Sequence, residues 1–189
     1  MANKVVFGLS SAYVAFLTES TGVYDTPEAL AGAVNMSLSP EGESTIFYAD
    51  DVAYHTVETN NGYSGELEVA HVPDAMLAEM LGWHVDDNGM LTELSDAEAK
   101  PFALLGQVKG DAANRRFVLY KCLASRPNVE HSTKGESTEP KTTVLPIRVT
   151  PIEIDSQYVV KGVLEYALAN ASVYNAWYDA VYEPVNAVS

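Results

Sequence analysis

Asn60-Asn61-Gly62-Tyr63-Ser64-Gly65-Glu66-Leu67-Glu68-Val69-Ala70-His71 is the stretch whose reading decides the fold. It opens on a tight-turn signal, because Asn and Gly tolerate positive φ. Tyr63, Gly65, Leu67, Val69 and His71 then share one face, and Ser64, Glu66, Glu68 and Ala70 the other. A period of two with one dry and one wet face is a half-buried strand. On this phase His71 is expected to be a hydrogen-bonded core histidine.

The same alternation extends outward. Upstream, Val34, Met36 and Leu38 alternate with Asn35, Ser37 and Ser39 until Pro40, and residues 4–9, 13–18, 43–50 and 52–59 are rich in strand-forming types. Downstream, Phe102, Leu104, Gly106 and Val108 share a face, as do Val118, Tyr120, Cys122 and Ala124, with a Gly110–Asn114 link that makes the pair a hairpin. Leu145, Ile147 and Val149 form another face, with a phase slip to Ile152 and Ile154 at Thr150-Pro151. Pro146 and Pro151 place that strand on a sheet edge, where a missing donor costs least. Tyr158, Val160, Leu164 and Tyr166 form the last strand face.

Two segments read as short helices. At 73–82, Pro73-Asp74 suits a first turn, Met76, Leu77, Met80 and Leu81 make the apolar stripe, and Gly82 fits the C′ position. At 172–183, Ser172 reads as N-cap, Val173, Trp177 and Val181 recur at four-residue spacing beside Tyr174, Tyr178 and Tyr182, and Pro184 stops the helix. The expectation is a mainly β protein, an antiparallel β-sandwich or barrel with two short flanking helices. It is one domain over 1–189, with extended loops at 40–62 and 125–141. Hairpin-length links favour antiparallel pairing, and helices that do not alternate with strands exclude a doubly wound α/β fold.

The 189 residues hold 11 Lys+Arg and 26 Asp+Glu, a formal net charge of −15. Between Lys4 and Lys100 there is no Lys or Arg, while that interval carries 17 carboxylates. A chain so acidic is excluded as a general nucleic-acid binder, which needs clustered cations against phosphate. The acidity serves solubility, or it repels anions and matches a basic partner. No apolar run approaches a spanning helix, so no membrane is expected. The N-terminus lacks a signal-peptide pattern, and Cys122 is the only cysteine, so folding in a reducing cytoplasm is expected.

Catalytic signatures are missing. There is no phosphate-cradling Gly loop, no HExxH, no GxSxG and no CxxC. His55, His71, His84 and His131 are scattered, and Cys122 falls in an apolar strand where a thiol is inert. Glu66 and Glu68 have a spacing compatible with a carboxylate pair for hydrolysis, but on a wet strand face they read as solvated charges. Asp86-Asp87-Asn88-Gly89 lacks the spacing of a calcium loop and reads as a turn. The expectation is a non-enzyme with no cofactor and no metal. The aromatic C-terminal helix is a wide buried face or a subunit contact.

Several strings carry a family resemblance. They are Asn61–Ala70 with Pro73-Asp74 and Leu81-Gly82, then Pro101-Phe102-Ala103-Leu104-Leu105, then Arg115–Cys122. Arg126-Pro127, Thr138–Thr142 and the C-terminal segment around Trp177 follow in order. Together they resemble the major tail protein family of long-tailed, non-contractile phages and prophages of Gram-positive bacteria. The resemblance implies a tail-tube fold and a structural virion protein made in the bacterial host cytoplasm. Its subunits would form hexameric rings that stack into a hollow conduit for DNA, with tape-measure, tail-terminator and distal-tail proteins as further partners. DNA would pass without specific binding.

Within that expectation, an anion-repelling bore makes Glu58, Glu66 and Glu68, with Asp50 and Asp51, the candidate lumen residues. Arg115, Arg116, Arg126 and Arg148, with Tyr174, Trp177 and Tyr178, are the candidate subunit-interface residues. A β-sandwich carbohydrate-binding or other binding module of a virion, or a small hydrolase using Glu66 and Glu68, are the alternative readings.

Overall fold

The computed structural model describes residues 8–49, 52–111, 113–129 and 142–185, and for 45–57 the backbone course alone. Asp50, Asp51 and most of the 125–141 excursion lie outside the described residues. Fifteen strands appear in chain order: β1 (Leu9–Thr18), β2 (Val23–Tyr24), β3 (Glu28–Ala29), β4 (Ala33–Glu41), β5 (Ser44–Ala49), β6 (Val52–Glu58) and β7 (Gly62–Val69). After helix α1 (Asp74–Leu81) come β8 (His84–Val85), β9 (Leu91–Thr92), β10 (Phe102–Val108), β11 (Arg116–Ala124) and β12 (Thr143–Val149). β13 (Ile152–Ile154), β14 (Gln157–Val159) and β15 (Lys161–Leu164) follow, then a 3-10 turn (Leu168–Asn170) and helix α2 (Ala171–Asn175).

Nine strands make one antiparallel sheet, in the order β2-β1-β10-β11-β12-β7-β4, with β3 also on β1 and β15 also on β11. β5–β6, β8–β9 and β13–β14 are separate hairpins. The sheet curls, because side chains from β1 at one end and β7 towards the other meet in one core. Val14, Phe16, Phe102, Leu104, Leu119, Leu67, Leu145 and Val149 fill it, and α1 closes it with Met76, Met80 and Leu81. No pairing among the described residues joins β4 back to β1, so the curl stays open.

A second core lies on the opposite face of β1, β10 and β11. Ala15, Ala103, Leu105, Val118 and Tyr120 are covered there by Trp177, with Tyr178, Val181 and Tyr182 packed around it. The two cores explain a departure from the expected phase of β11. Phe102 pairs with Cys122 but Leu104 pairs with Leu119, so β11 carries an extra residue. Val118 and Tyr120 therefore face the outer core, while Cys122 and Ala124 face the inner one. A bulge of this kind flips the phase, and a strand dry on both faces gives no alternation to reveal it.

α1 forms as the sequence dictates. Leu77 donates to the Pro73 carbonyl at 2.9 Å, Asp74 occupies the first turn, and Gly82 sits at φ 67° with its N–H returning to Ala78. A Cβ on Gly82 would lie 2.1 Å from the Glu98 carbonyl oxygen, so glycine answers both a conformational and a steric demand. The C-terminal helix is shorter than the expected 172–183. α2 stops at Asn175 and turns follow, with Trp177 donating to the Tyr174 carbonyl at 3.3 Å. Seating Trp177, Tyr178 and Tyr182 on a sheet takes priority over a four-residue stripe. Asn170 rather than Ser172 stands before α2, and its side chain accepts from Ala167 N–H at 2.8 Å.

Two further expectations are corrected. β12 is interior, between β11 and β7, despite Pro146. The Pro146 carbonyl accepts from Ser125 N–H at 2.8 Å where β11 has just ended, so the missing donor falls beyond the ladder. His71 is exposed, because β7 ends at Val69 and the chain turns so that Val72 fills the core.

Candidate functional site

The inner faces of β7 and β12 bury Leu67, Val69, Leu145 and Ile147, and Met36 and Leu38 of β4 pack half-buried against them. Among the described residues nothing packs as a layer on their outer face. Register fixes its rows: Ser37–Glu66–Pro146, Asn35–Glu68–Val144 and Ser39–Ser64–Arg148. Glu66 is exposed and Glu68 half-buried, on the same side of the central strand, about 7 Å apart. Thr142 Oγ1 donates to Glu68 Oε1 at 2.6 Å, and Arg148 pairs with Glu41 at 3.2 Å at the rim. Gly65 allows β4 to approach β7, since a Cβ there would lie 1.9 Å from the Ser37 carbonyl oxygen. The surface is thus a polar, net-acidic sheet face that ends at β4, whose other edge has no strand partner among the described residues. An open face offers neither the enclosure nor the water exclusion that would make Glu66 and Glu68 an acid–base pair.

Glu58 stands elsewhere, exposed at the base of the β5–β6 hairpin. Thr59 knits that base, its Oγ1 accepting from Glu43 N–H at 2.9 Å. The structure therefore brings Glu66 and Glu68 together on one face and Glu58 to the hairpin base, while Asp50 and Asp51 lie outside the described residues.

The four candidate arginines all have contacts within the chain. Arg115 makes a two-point contact with Asp111, Nε–Oδ2 at 2.7 Å and Nη2–Oδ1 at 3.2 Å. That guanidinium holds the Asp111 carboxyl below the usual carboxylate range. Arg116 lies over the Tyr174 ring at 3.9 Å and the Tyr178 ring at 4.7 Å, and donates to the Tyr174 carbonyl. Arg126 pairs with Glu93 at 2.5 Å. Trp177 and Tyr174 are 2% and 7% exposed, and Tyr178 stacks on Tyr13 at 4.4 Å. Tyr174 donates from its hydroxyl to the Asn114 carbonyl at 2.7 Å. These aromatics bind the C-terminal segment to its own sheet.

Other groups hold the same seam. Tyr24 donates to the Tyr120 carbonyl and Tyr120 to the Tyr182 carbonyl, each at 3.0 Å, and burial pushes the Tyr120 hydroxyl up to about 12. Burial likewise pushes the Cys122 thiol up to about 12, leaving it protonated and inert. Sequence reasoning passed over Lys109 and Lys161, which alone among the described cations have no acid or aromatic partner. Among the described residues no group of His, Cys, Asp and Glu has the arrangement of a metal site, and no helix is long and apolar enough to cross a membrane.

The family model described as "Phage tail tube protein" matches residues 2–185. No curated protein matches the chain. Among solved structures, a chain of the cryo-EM structure of the anti-feeding prophage (AFP) baseplate, 6-fold symmetrised, is similar at 13% identity and a TM-score of 0.47. That similarity covers 87% of this chain and 98% of that one.

Proposed function

Because this chain belongs to the phage tail tube protein family, a structural component of the virion tail, we propose that it is the repeating subunit of the tube wall. Six copies close into a ring, the rings stack, and the hollow interior conducts DNA. The uncovered face of β4, β7 and β12 lines the bore.

The observation that carries this reading is that face. Among the described residues, both sides of β1, β10 and β11 are buried, while β4, β7 and β12 stay bare on one side with an open strand edge at β4. Open edges invite pairing with another chain, and a head-to-tail contact that closes makes a ring. Glu66 and Glu68 put negative charge where phosphate would slide, and repulsion keeps DNA from sticking. Tape-measure, terminator and distal-tail proteins are the partners such a tube requires at its interior and ends.

Electron microscopy of the concentrated protein tests the reading. Six-fold rings or stacked tubes are expected, with Glu66 and Glu68 facing the bore at subunit resolution. Glu66→Lys with Glu68→Lys is expected to leave tubes intact but make them retain short DNA at low salt and release it at high salt. Monomers at every concentration, or density placing both glutamates on the outer wall, would overturn it.

A further inference from the structure

Six of the eight described cations are occupied within the chain: Lys100 by Glu79 and Asp25, Arg115 by Asp111, Lys121 by Glu19, Arg126 by Glu93, Arg148 by Glu41, and Arg116 by two tyrosine rings. The remaining two are Lys109 and Lys161. Lys109 follows Val108 at the end of β10, and Lys161 starts β15 on the far side of β11. Beside Lys161 lies a hollow of about 280 Å³ lined by the apolar Val108, Phe117 and Val163 and by Arg115, Arg116, Lys161 and the Asp111 that Arg115 neutralises. Val163 is 54% exposed, so the floor is open to solvent.

In a chain of net charge −15, a spare cation, Lys161, over an apolar floor and beside two arginines is the exception. A carboxylate-bearing segment with some apolar surface is its chemical complement. The base of the β5–β6 hairpin has that composition. Glu43 and Glu58 are exposed there and have no cation among the described residues, whereas Glu41 is taken by Arg148. Pro40 and Tyr63 supply apolar surface in the same cleft. The hairpin pairs with itself and not with the nine-stranded sheet.

We propose that the hollow at β10, β11 and β15 receives the acidic hairpin base of a second copy of this chain, with Lys161 against Glu43 or Glu58. The inference rests on the tube reading, which supplies that second copy in a head-to-tail contact. Arg115 and Arg116 are already held by Asp111 and Tyr174, so the rim loses little side-chain freedom on docking. The acidic first half of one copy then meets the one cation of this hollow that its own chain leaves unpaired.

Carbodiimide cross-linking of assembled tubes, built from mixed isotope-labelled and unlabelled copies, reads the contact directly. The expected product is an amide between Lys161 and Glu43 or Glu58 of different copies, found by peptide mass spectrometry. Lys161→Glu is expected to raise the half-assembly concentration about tenfold or more, and adding Glu43→Lys and Glu58→Lys to the same chain is expected to recover most of that. If tubes form but Lys161 links only to other carboxylates, or if Lys161→Glu assembles like the wild type, this contact is wrong and the tube reading stands. If the wild-type chain assembles at no concentration, both fall together.

Discussion

Trp177→Ala and Trp177→Phe, measured in one urea series, separate two opposing effects at the seam between the C-terminal segment and the sheet. Trp177 is 2% exposed, packs on Ala103, Leu105 and Tyr120, and lies parallel to Tyr182 at 6.3 Å. Truncation to Ala removes the whole ring from a site that cannot collapse onto a rigid strand, at a cost of about 3–5 kcal/mol. The indole Nε1, however, is buried with no acceptor among the described residues. A buried donor left unpaired costs about 1–3 kcal/mol. Phe removes that donor, leaves a void on the order of 40 Å³ worth about 1 kcal/mol at about 24 cal/mol per Å³, and forfeits about 1 kcal/mol of apolar transfer. Trp177→Phe is therefore expected to lie within about 1 kcal/mol of neutral, and Trp177→Ala to be strongly destabilising. Trp83, packed against the inner core, remains as the fluorescence reporter, with far-ultraviolet circular dichroism as the second probe. A Phe variant that loses more than about 2 kcal/mol would refute the claim that the indole N–H is unsatisfied. An Ala variant that loses less than about 1 kcal/mol would refute the role of the side chain as the anchor.

Two further outcomes are expected. Gly65→Ala pushes a methyl against the Ser37 carbonyl and the Leu38 Cα, so β4 must shift; a loss of about 1–3 kcal/mol is expected, with hydrogen exchange accelerating first in β4, and unchanged β4 protection would contradict the close approach. The Asp111 carboxyl is held low by Arg115, and the Asp86 carboxyl by the backbone N–H of Met90 and then of Asn88. A folded-state value below the unfolded one gives stability that is present above about pH 4 and is lost as pH falls through the folded value. Asp111→Asn is expected to narrow the difference between urea midpoints at pH 7 and pH 3, and an undiminished difference would refute that linkage.

Much of the β architecture was legible because burial on one face writes a period of two. β7 shows this directly: Leu67 and Val69 are buried, and Glu66 and Glu68 stand on the other side as the alternation requires. The 73–82 helix was legible for the same kind of local reason, since Pro73, Asp74 and Gly82 each act within one turn. β11 was not. Val118 and Cys122 are both fully buried, on opposite faces, and a sequence with no polar phase cannot mark where a bulge reverses it. His71 failed because a strand's end is set by where the chain must turn, and Val72 rather than His71 reaches the core. The pair Glu66 and Glu68 was legible as neighbours, while the place of Glu58 at the hairpin base came only from the structure. The arginines were legible only as charge. Their partners are separated by up to 107 positions, as with Arg148 and Glu41.

By itself the sequence determined the strand-rich antiparallel class, the first helix, the acidity of one half and the family. The first three follow from local periodicity, from capping chemistry and from a count of charges, none of which needs distant partners, and the family follows from the resemblance of strings such as Asn61–Ala70 and Arg115–Cys122. Only the tertiary structure decided which face of the sheet stays bare, that the C-terminal aromatics cover β1, β10 and β11, and which cations are left over. Those outcomes depend on register and on contacts between segments far apart in the chain, and pairing energy across such distances leaves no mark on local pattern.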